Sequence, residues 1–427
     1  MTDSAQTAQL DRHSLPARVV VIGAGNRGDA YADYALLYPE ELQIVGVAEQ
    51  RAERRTQFAQ RHALPPERTW SDWRDLLTLP RLADAVLICT LDHQHAESAV
   101  ALAGLGYHIL LEKPMAPTEA ECQRIVAAAE AAGVMLAVCH VLRYTAYTRA
   151  LKKLLTEGRL GRIVSIEHLE PVGWWHQAHS FVRGNWRNER ESNPMLLSKS
   201  CHDLDWLSSL MDQPCTQISS FGSLFHFRAS ERPAGAADRC LDCPVAPECA
   251  YDAARFYLGQ LEQGNTGWPL DVITADLTEA GVRAALRTGP YGRCVYVCDN
   301  DVVDHQVVSM QFQDGATASF TMTAFTRARG RETRIFGTRG ELYGDSRSLR
   351  VFDFLTQETL EIDTEELSTE PASAHGGGDF GLVRAFVRAL RTGDQRFILS
   401  GAQASLASHR LVFAAEAARR EATVQRL

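Results

Sequence analysis

One short stretch constrains this chain more than any other. The β-branched run Arg18 to Ile22 leads directly into Gly23-Ala24-Gly25-Asn26-Arg27-Gly28, and residues of helical composition follow from Asp29 to Leu37. In a strand–turn–helix unit of this kind the first glycine makes the tight turn. The second lets a backbone approach a pyrophosphate, and the third lets helix and strand pack closely. Leu42 to Ala48 reads as a second apolar strand and ends at Glu49, about twenty residues beyond the last glycine. A carboxylate there accepts hydrogen bonds from a ribose diol and repels a 2′-phosphate. Gly23, Gly25, Asn26, Arg27, Gly28 and Glu49 are therefore candidate dinucleotide-binding residues that favour NAD. Arg51, Arg54 and Arg55 follow closely and keep NADP as the less favoured alternative.

The pattern continues. Asp84 to Thr90 reads as a buried parallel strand, with Thr90, Asp92, His93 and His95 on the loop at its carboxyl end. Ligands of open α/β sheets bind outside the carboxyl ends of strands, so Thr90 and His95 are expected to face the cofactor. His108 to Leu111 gives a further strand, closed by Glu112-Lys113-Pro114. That places a titratable amine where a nicotinamide would lie, with Glu112 beside it as a further candidate cofactor-binding residue, and points to hydride transfer. Thr118 to Ala132 is a helix with Thr118 as N-cap and Gly133 as terminator. Val134 to Cys139 supplies another strand, with His140, Arg143 and Tyr144 at its exit. Alternating strands and helices over residues 18–145 predict a Rossmann-type, doubly wound parallel sheet.

At 427 residues the chain is long for one core, and two domains are expected. Hydrophobic content of 45% and charged content of 23% are ordinary for a globular protein. A net charge of −9 argues against a dedicated nucleic-acid surface. No apolar run is long enough to span a bilayer, and polar Met1 to Ala17 reads as a flexible arm rather than a secretion signal, so a cytoplasmic location without membrane contact is expected. In a chain of this size and place, ten cysteines suggest metal ligands or buried thiols rather than disulfides.

Taken together, Gly23-x-Gly25-x-x-Gly28, Glu49, Thr90 with His95, and Glu112-Lys113-Pro114 resemble the Gfo/Idh/MocA oxidoreductases, the glucose-fructose oxidoreductase and inositol dehydrogenase family. The resemblance covers nearly the whole chain. It implies that residues 146–427 form an α+β substrate domain built on a large, mostly antiparallel open sheet. Runs at Val302 to Phe312, Ala316 to Phe325, Glu332 to Phe336 and Leu349 to Phe352 fit such a sheet. The family pattern also places a histidine four residues after an aspartate, with another aspartate three residues on. Here the segment is Ser198-Lys199-Ser200-Cys201-His202-Asp203-Leu204-Asp205. His202 and Asp205 match, whereas Ser198 stands in place of the first aspartate. The resemblance thus implies Lys113 as the base that accepts a hydroxyl proton and His202 as its assistant. Lys199 is a candidate to hold a substrate hydroxyl or acidic group, and Arg143, Tyr144 and Asp205 are candidate substrate contacts.

Pro171 to Arg187 interleaves aromatics with cations and reads as a loop that sets specificity. Its candidate substrate residues are Trp174, Trp175, His176, His179, Arg183 and Arg187. Aromatic faces stack on sugar rings and arginine forks grip anionic groups, so the expected substrate is a sugar, glycoside or cyclitol, neutral or acidic. Residues about 230–291 read as an insertion stapled by Cys240, Cys243 and Cys249, with Cys298 as the fourth candidate ligand of a structural zinc ion; Cys294 and His226 are alternatives. His375-Gly376-Gly377-Gly378-Asp379 reads as a lid or a linker, and the alanine-rich Ser400 to Ala422 as a surface or docking helix. The family's open sheet implies a homodimer or homotetramer. Two competing functions remain. One is an NAD-dependent glycoside hydrolase that oxidises C3, eliminates, hydrates and returns the hydride. The other is a nucleotide-sensing regulator, which the presence of Lys113 disfavours.

Overall fold

The computed structural model describes residues 15–369, 371 and 375–427. The expected arm falls outside the described residues up to residue 14, and Ala17 already belongs to the first strand. Six parallel strands make the first sheet: β1 (Ala17–Ile22), β2 (Leu42–Ala48), β3 (Thr69–Trp70), β4 (Ala85–Ile88), β5 (His108–Leu111) and β6 (Leu136–Val138). Their order is β3-β2-β1-β4-β5-β6, the doubly wound arrangement in which the chain reverses direction across the sheet between β1 and β4. All four residues of β4 are buried, as are five of the six in β1, as befits strands covered on both faces. Helix Glu119–Ala131 begins as expected, with Thr118 Oγ1 accepting from Glu121 N–H, and Gly133 follows in the left-handed region at φ 64°.

The second sheet has nine strands: β7 (Ile163–Pro171), β8 (Cys215–Ser223), β9 (His305–Phe312), β10 (Thr317–Thr323), β11 (Glu332–Gly337), β12 (Gly340–Gly344), β13 (Ser348–Asp353), β14 (Thr359–Asp363) and β15 (Gln425–Arg426). Their order is β14-β13-β12-β11-β7-β10-β9-β8-β15. Antiparallel pairing dominates, and β7 with β10 is a parallel pair. Clean inside–outside alternation along β9 and β10 is what made them legible in the sequence. β8 carries serines and glycines in place of a regular apolar alternation, and β12 is a five-residue strand with glycine at both ends; neither was expected.

Two compact units divide the chain. One gathers the described residues through Ile163 with Cys201–Pro214 and Phe336–Phe413; the other gathers Val164–Ser200, Cys215–Ile335 and Ala414–Leu427. In the first unit the parallel sheet is covered by two apolar clusters, one centred on Val20, Ile88, Leu102 and Ile125, the other on Val21, Tyr31, Tyr34 and Phe386. The expected insertion carries helices Ala253–Glu262, Leu270–Ile273 and Glu279–Thr288 around a small core of Tyr257, Leu270, Val282 and Leu286. The alanine-rich C-terminal segment corrects an expectation. It folds as helix Ala402–Glu421, whose Leu406, Leu411, Val412, Ala415 and Ala418 are buried, so it is a core element rather than a surface one.

Candidate active site

The turn after β1 is built for close approach. A Cβ at Gly23 would lie 2.6 Å from the Cys89 carbonyl oxygen, and one at Gly28 would lie 2.2 Å from the Gly23 oxygen. At Gly25 a Cβ would meet only a guanidinium nitrogen of Arg51, at 3.7 Å, so the backbone there is open. Glu49 is buried and holds the turn, accepting from Ala24 N–H at 2.9 Å and from Arg51 N–H and Nε at 2.9 and 2.8 Å. Burial would raise this carboxyl, but those hydrogen bonds and the Arg51 charge hold it below the usual range. At the end of β4 the Thr90 hydroxyl is buried and has no hydrogen-bond partner. These features fit a dinucleotide: a glycine cradle, an ionised acid at the end of β2 and an orphaned hydroxyl just beyond the end of β4. His95 does something else. Its ring nitrogens lie 2.9 Å from the Pro114 oxygen and 3.2 Å from the Thr90 oxygen, so it ties two strand-end loops together.

Lys113 sits on a segment fixed from both sides. Its N–H donates to the Glu112 carboxylate, the next carbonyl is held by His95, and Met115 N–H donates to His409 Nε2 at 2.9 Å. The Lys113–Pro114 peptide is cis. Glu112 accepts from Arg27 Nε at 2.7 Å, and Arg27 reaches onward to Asp379 at 2.6 Å and packs over the Tyr31 ring. Arg27 is thus engaged by Glu112 and Asp379, and His375 Nδ1 lies 3.1 Å from the same Asp379. Burial works against Asp379, yet His375 and Arg27 hold its carboxyl well below the ordinary value.

Helix Cys201–Met211 presents His202 and Asp205 one turn apart. Asp205 is gripped by a bidentate Arg143, at 2.7 Å for each of two contacts, and Arg143 also donates to the Leu399 carbonyl. Tyr144 binds the Leu399 and Ser400 amides through its hydroxyl. Arg143, Tyr144 and Asp205, expected at a substrate, are therefore buried and committed to one another and to the backbone. His140, which the sequence analysis left without a role, lies between the groups that matter. Its ring centre is 5.8 Å from that of His202 and 5.4 Å from that of His409, with Nδ1 3.7 Å from Asp205. Burial pushes the His140 imidazole down to about 3 and His409 to about 4, with the Lys113 charge contributing to both. Lys113 thus lies within electrostatic reach of the histidine cluster around His202. No local motif marks His409. It lies in an alanine-rich helix 294 residues from the amide it serves.

In the second unit Lys199 Nζ lies 3.4 Å from Glu170, a buried carboxylate that Arg331 also holds at 2.9 Å. Ser198 is buried at the end of helix Met195–Ser198. The segment expected as a loop is helical: Trp174–His176 runs into a π-helix at Gln177–Arg183, every residue of which is buried. His179 Nδ1 lies 2.6 Å from the Tyr257 hydroxyl, and Arg183 donates to the Arg293 and Tyr251 carbonyls. Arg187 is paired with Asp299 and Glu191. These three are engaged within the protein rather than displayed as a cationic grip. Trp174, Trp175 and His176 are half-buried, with Trp175 stacked on Phe256 at 5.0 Å and His176 edge-on to Trp268. Among the described residues no group of three or more His, Cys, Asp or Glu side chains is arranged to hold a metal ion. Cys240, Cys243 and Cys249 do share one small cavity, but with Cys294 instead of Cys298, whose thiol turns to the Cys294 carbonyl at 3.3 Å. No helix among the described residues is long and apolar enough to cross a membrane.

A doubly wound parallel sheet with a glycine turn after its first strand defines an α/β nucleotide-binding protein. Residues 17–140 match the NAD-binding Rossmann fold of the Gfo/Idh/MocA oxidoreductase family and residues 152–425 match that family's C-terminal α/β domain, so the chain belongs to it. A 1,5-anhydro-D-fructose reductase of Ensifer adhaerens is 34% identical over 139 residues, 32% of this chain and 40% of that protein. A 2,7-anhydro-N-acetylneuraminate hydratase of Escherichia coli (strain K12) is 29% identical over 153 residues, 36% of this chain and 40% of that protein. The chain thus spans less than half the length of either relative. A levoglucosan dehydrogenase solved with NADH and levoglucosan aligns with a TM-score of 0.69 over 96% of this chain and 99% of that one, at 19% identity, which is a likeness of fold.

Proposed function

We propose that this protein is an NAD-dependent dehydrogenase that oxidises a ring CH–OH of a sugar, glycoside or cyclitol. The observation that carries the reading is the pinned Glu112–Met115 segment. It fixes Lys113 at the carboxyl end of β5, next to the switch point and within the field of the histidines around His202. NAD, when bound, supplies the hydride acceptor. The Gly23–Gly28 turn would hold its pyrophosphate, Glu49 its ribose diol, and Thr90 would gain a partner for its orphaned hydroxyl. Lys113, in its amine form, takes the hydroxyl proton as the carbinol carbon gives up hydride, and His202 steadies or relays that proton. Buried, neutral His140 and the fixed Arg143–Asp205 pair give His202 a rigid, dry backing.

Lys113→Met removes the base while keeping the stem. Turnover should fall about 10²- to 10⁴-fold, with binding of NAD little changed. Retained turnover would overturn the assignment. A second reading is favoured by Ser198 at the position of the usual aspartate and by the hydratase among the relatives. In it, hydride leaves C3 of a glycoside and is returned after elimination and hydration. Product release from a glycoside or anhydro-sugar with no net change in nicotinamide absorbance selects that reading; NADH accumulating in step with product selects the first.

A further inference from the structure

The cysteines of the insertion belong to neither reading of the active site, and all ten thiols of the chain are unpaired by disulfides. Four of them, Cys240, Cys243, Cys249 and Cys294, line one small cavity together with Arg183, Val245, Tyr251 and Tyr296. Their backbones are already brought together. Two single-turn 3₁₀ helices, Cys240–Asp242 and Ala246–Glu248, each end in one of the cysteines, with Cys243 N–H bonded to the Cys240 carbonyl and Cys249 N–H to the Ala246 carbonyl. An antiparallel bridge between Arg239 and Arg293 brings up the fourth thiol, and Cys294 N–H donates to the Asp238 carbonyl at 2.8 Å.

A second observation concerns charge. Arg183 is 3% exposed, and its described partners are the Arg293 carbonyl at 2.7 Å, the Tyr251 carbonyl at 2.8 Å and Cys240 Sγ at 3.5 Å. None of these is a carboxylate. Asp252, the carboxylate on the same cavity, accepts through Oδ1 from the Ala254 and Arg255 amides, and negative charge on the thiols would stabilise the buried guanidinium. One backbone donor also points at sulfur: Ala237 N–H donates to Cys243 Sγ at 3.4 Å, a contact that a thiolate strengthens.

We infer that Cys240, Cys243, Cys249 and Cys294 are the ligands of one structural zinc ion, with Arg183 as its charge-balancing neighbour. The four thiols lose four protons to solvent and the ion gains four Zn–S bonds, leaving a centre of net charge −2 beside the buried guanidinium. In the arrangement described the sulfurs do not yet converge on one point. All four open on the same cavity, and binding of the ion would draw them to one point. Tetrahedral thiolate coordination suits zinc, which imposes little geometric preference of its own. The ion would staple the 240–249 loop to residue 294 and, through Arg183, fix the end of the buried Gln177–Arg183 helix that follows Trp174, Trp175 and His176. The inference rests on this cluster alone and stands or falls apart from the proposed reaction.

The test uses the full-length protein purified without chelators. Elemental analysis should find about one zinc per chain, released when a mercurial blocks the thiols. X-ray absorption at the zinc edge should show four sulfur neighbours at about 2.3 Å, a measurement on the wild type that no folding defect can confuse. Cys294→Ser should lose the ion and Cys298→Ser should keep it. Protein that is metal-free and whose cluster thiols react freely with a disulfide reagent overturns the inference. So does zinc with nitrogen or oxygen among its ligands, or zinc that survives Cys294→Ser but is lost in Cys298→Ser.

Discussion

Glu49 has two tasks at residue scale. It braces the turn through Ala24 N–H and Arg51, and it offers the carboxylate proposed to meet a ribose diol. Glu49→Ala should weaken NAD by about 1.5–3 kcal/mol, the worth of hydrogen bonds to a charged group, and should free Arg51 to meet a 2′-phosphate. The NAD to NADP ratio of kcat/KM is the readout, and an unchanged ratio would remove Glu49 from cofactor selection. Asp205 shows the opposite case, a residue expected at substrate that the fold uses internally. Asp205→Ala leaves the buried Arg143 guanidinium without its carboxylate, and stability should fall by about 3–5 kcal/mol, read as a shift in the denaturant midpoint. A stable variant impaired only in substrate KM would return Asp205 to the pocket.

Among elements, helix Ala402–Glu421 carries the least expected role. His409 Nδ1 donates to the Ser405 carbonyl while Nε2 accepts from Met115 N–H, an arrangement that only the neutral ring satisfies. Its folded pKa of about 4 lies below the value of about 6.5 in an unfolded chain. The unfolded state therefore takes up the proton first, and stability falls as pH drops from about 6.5 toward 4, by about 1.4 kcal/mol per pH unit from this residue. His409→Leu abolishes that slope but orphans the Met115 amide, costing about 1–3 kcal/mol at pH 7. The gap between wild type and variant should thus narrow on acidification in paired urea titrations at pH 7, 6 and 5. A constant gap would mean that His409 is not the group held neutral. β8 shows how an element escapes notice. Its Ser219, Ser220, Gly222 and Ser223 carry no period-two apolar signal, and pairing to β9 decides its state.

For the whole molecule, the homodimer or homotetramer expected from the family resemblance depends on uncovered sheet surface. Phe221 on β8 and Val307 on β9 are paired across the strands and are 71% and 39% exposed. Adjacent exposed apolar side chains of this kind are the mark of a face that seeks cover. A second copy of the chain is the proposed occupant. Phe221→Asp should lower the mass measured by light scattering after gel filtration toward that of a single chain of 47.2 kDa. An unchanged larger mass would move the interface elsewhere, and a monomeric wild type would dispose of the proposal.

The sequence by itself determined whatever is written in contiguous residues. Gly23, Gly25 and Gly28 fell into register with strands β1, β2 and β4 because a turn that tight leaves few other residues or partners. Lys113 could be placed at a strand end because β5 is an unbroken apolar run that stops at a charge. His202 and Asp205 were legible because a helix repeats its face every three to four residues. Tertiary structure decided what depends on distance in space. It engaged Arg27 with Glu112 and Asp379, it brought His409 to the Met115 amide and His140 near both His202 and His409, and it engaged His179, Arg183 and Arg187 inside the protein. It also exchanged Cys298 for Cys294 at the thiol cavity. Side chains of one chemistry serve a ligand or a neighbour according to what the packed chain brings within about 3 Å, and local sequence carries no record of that.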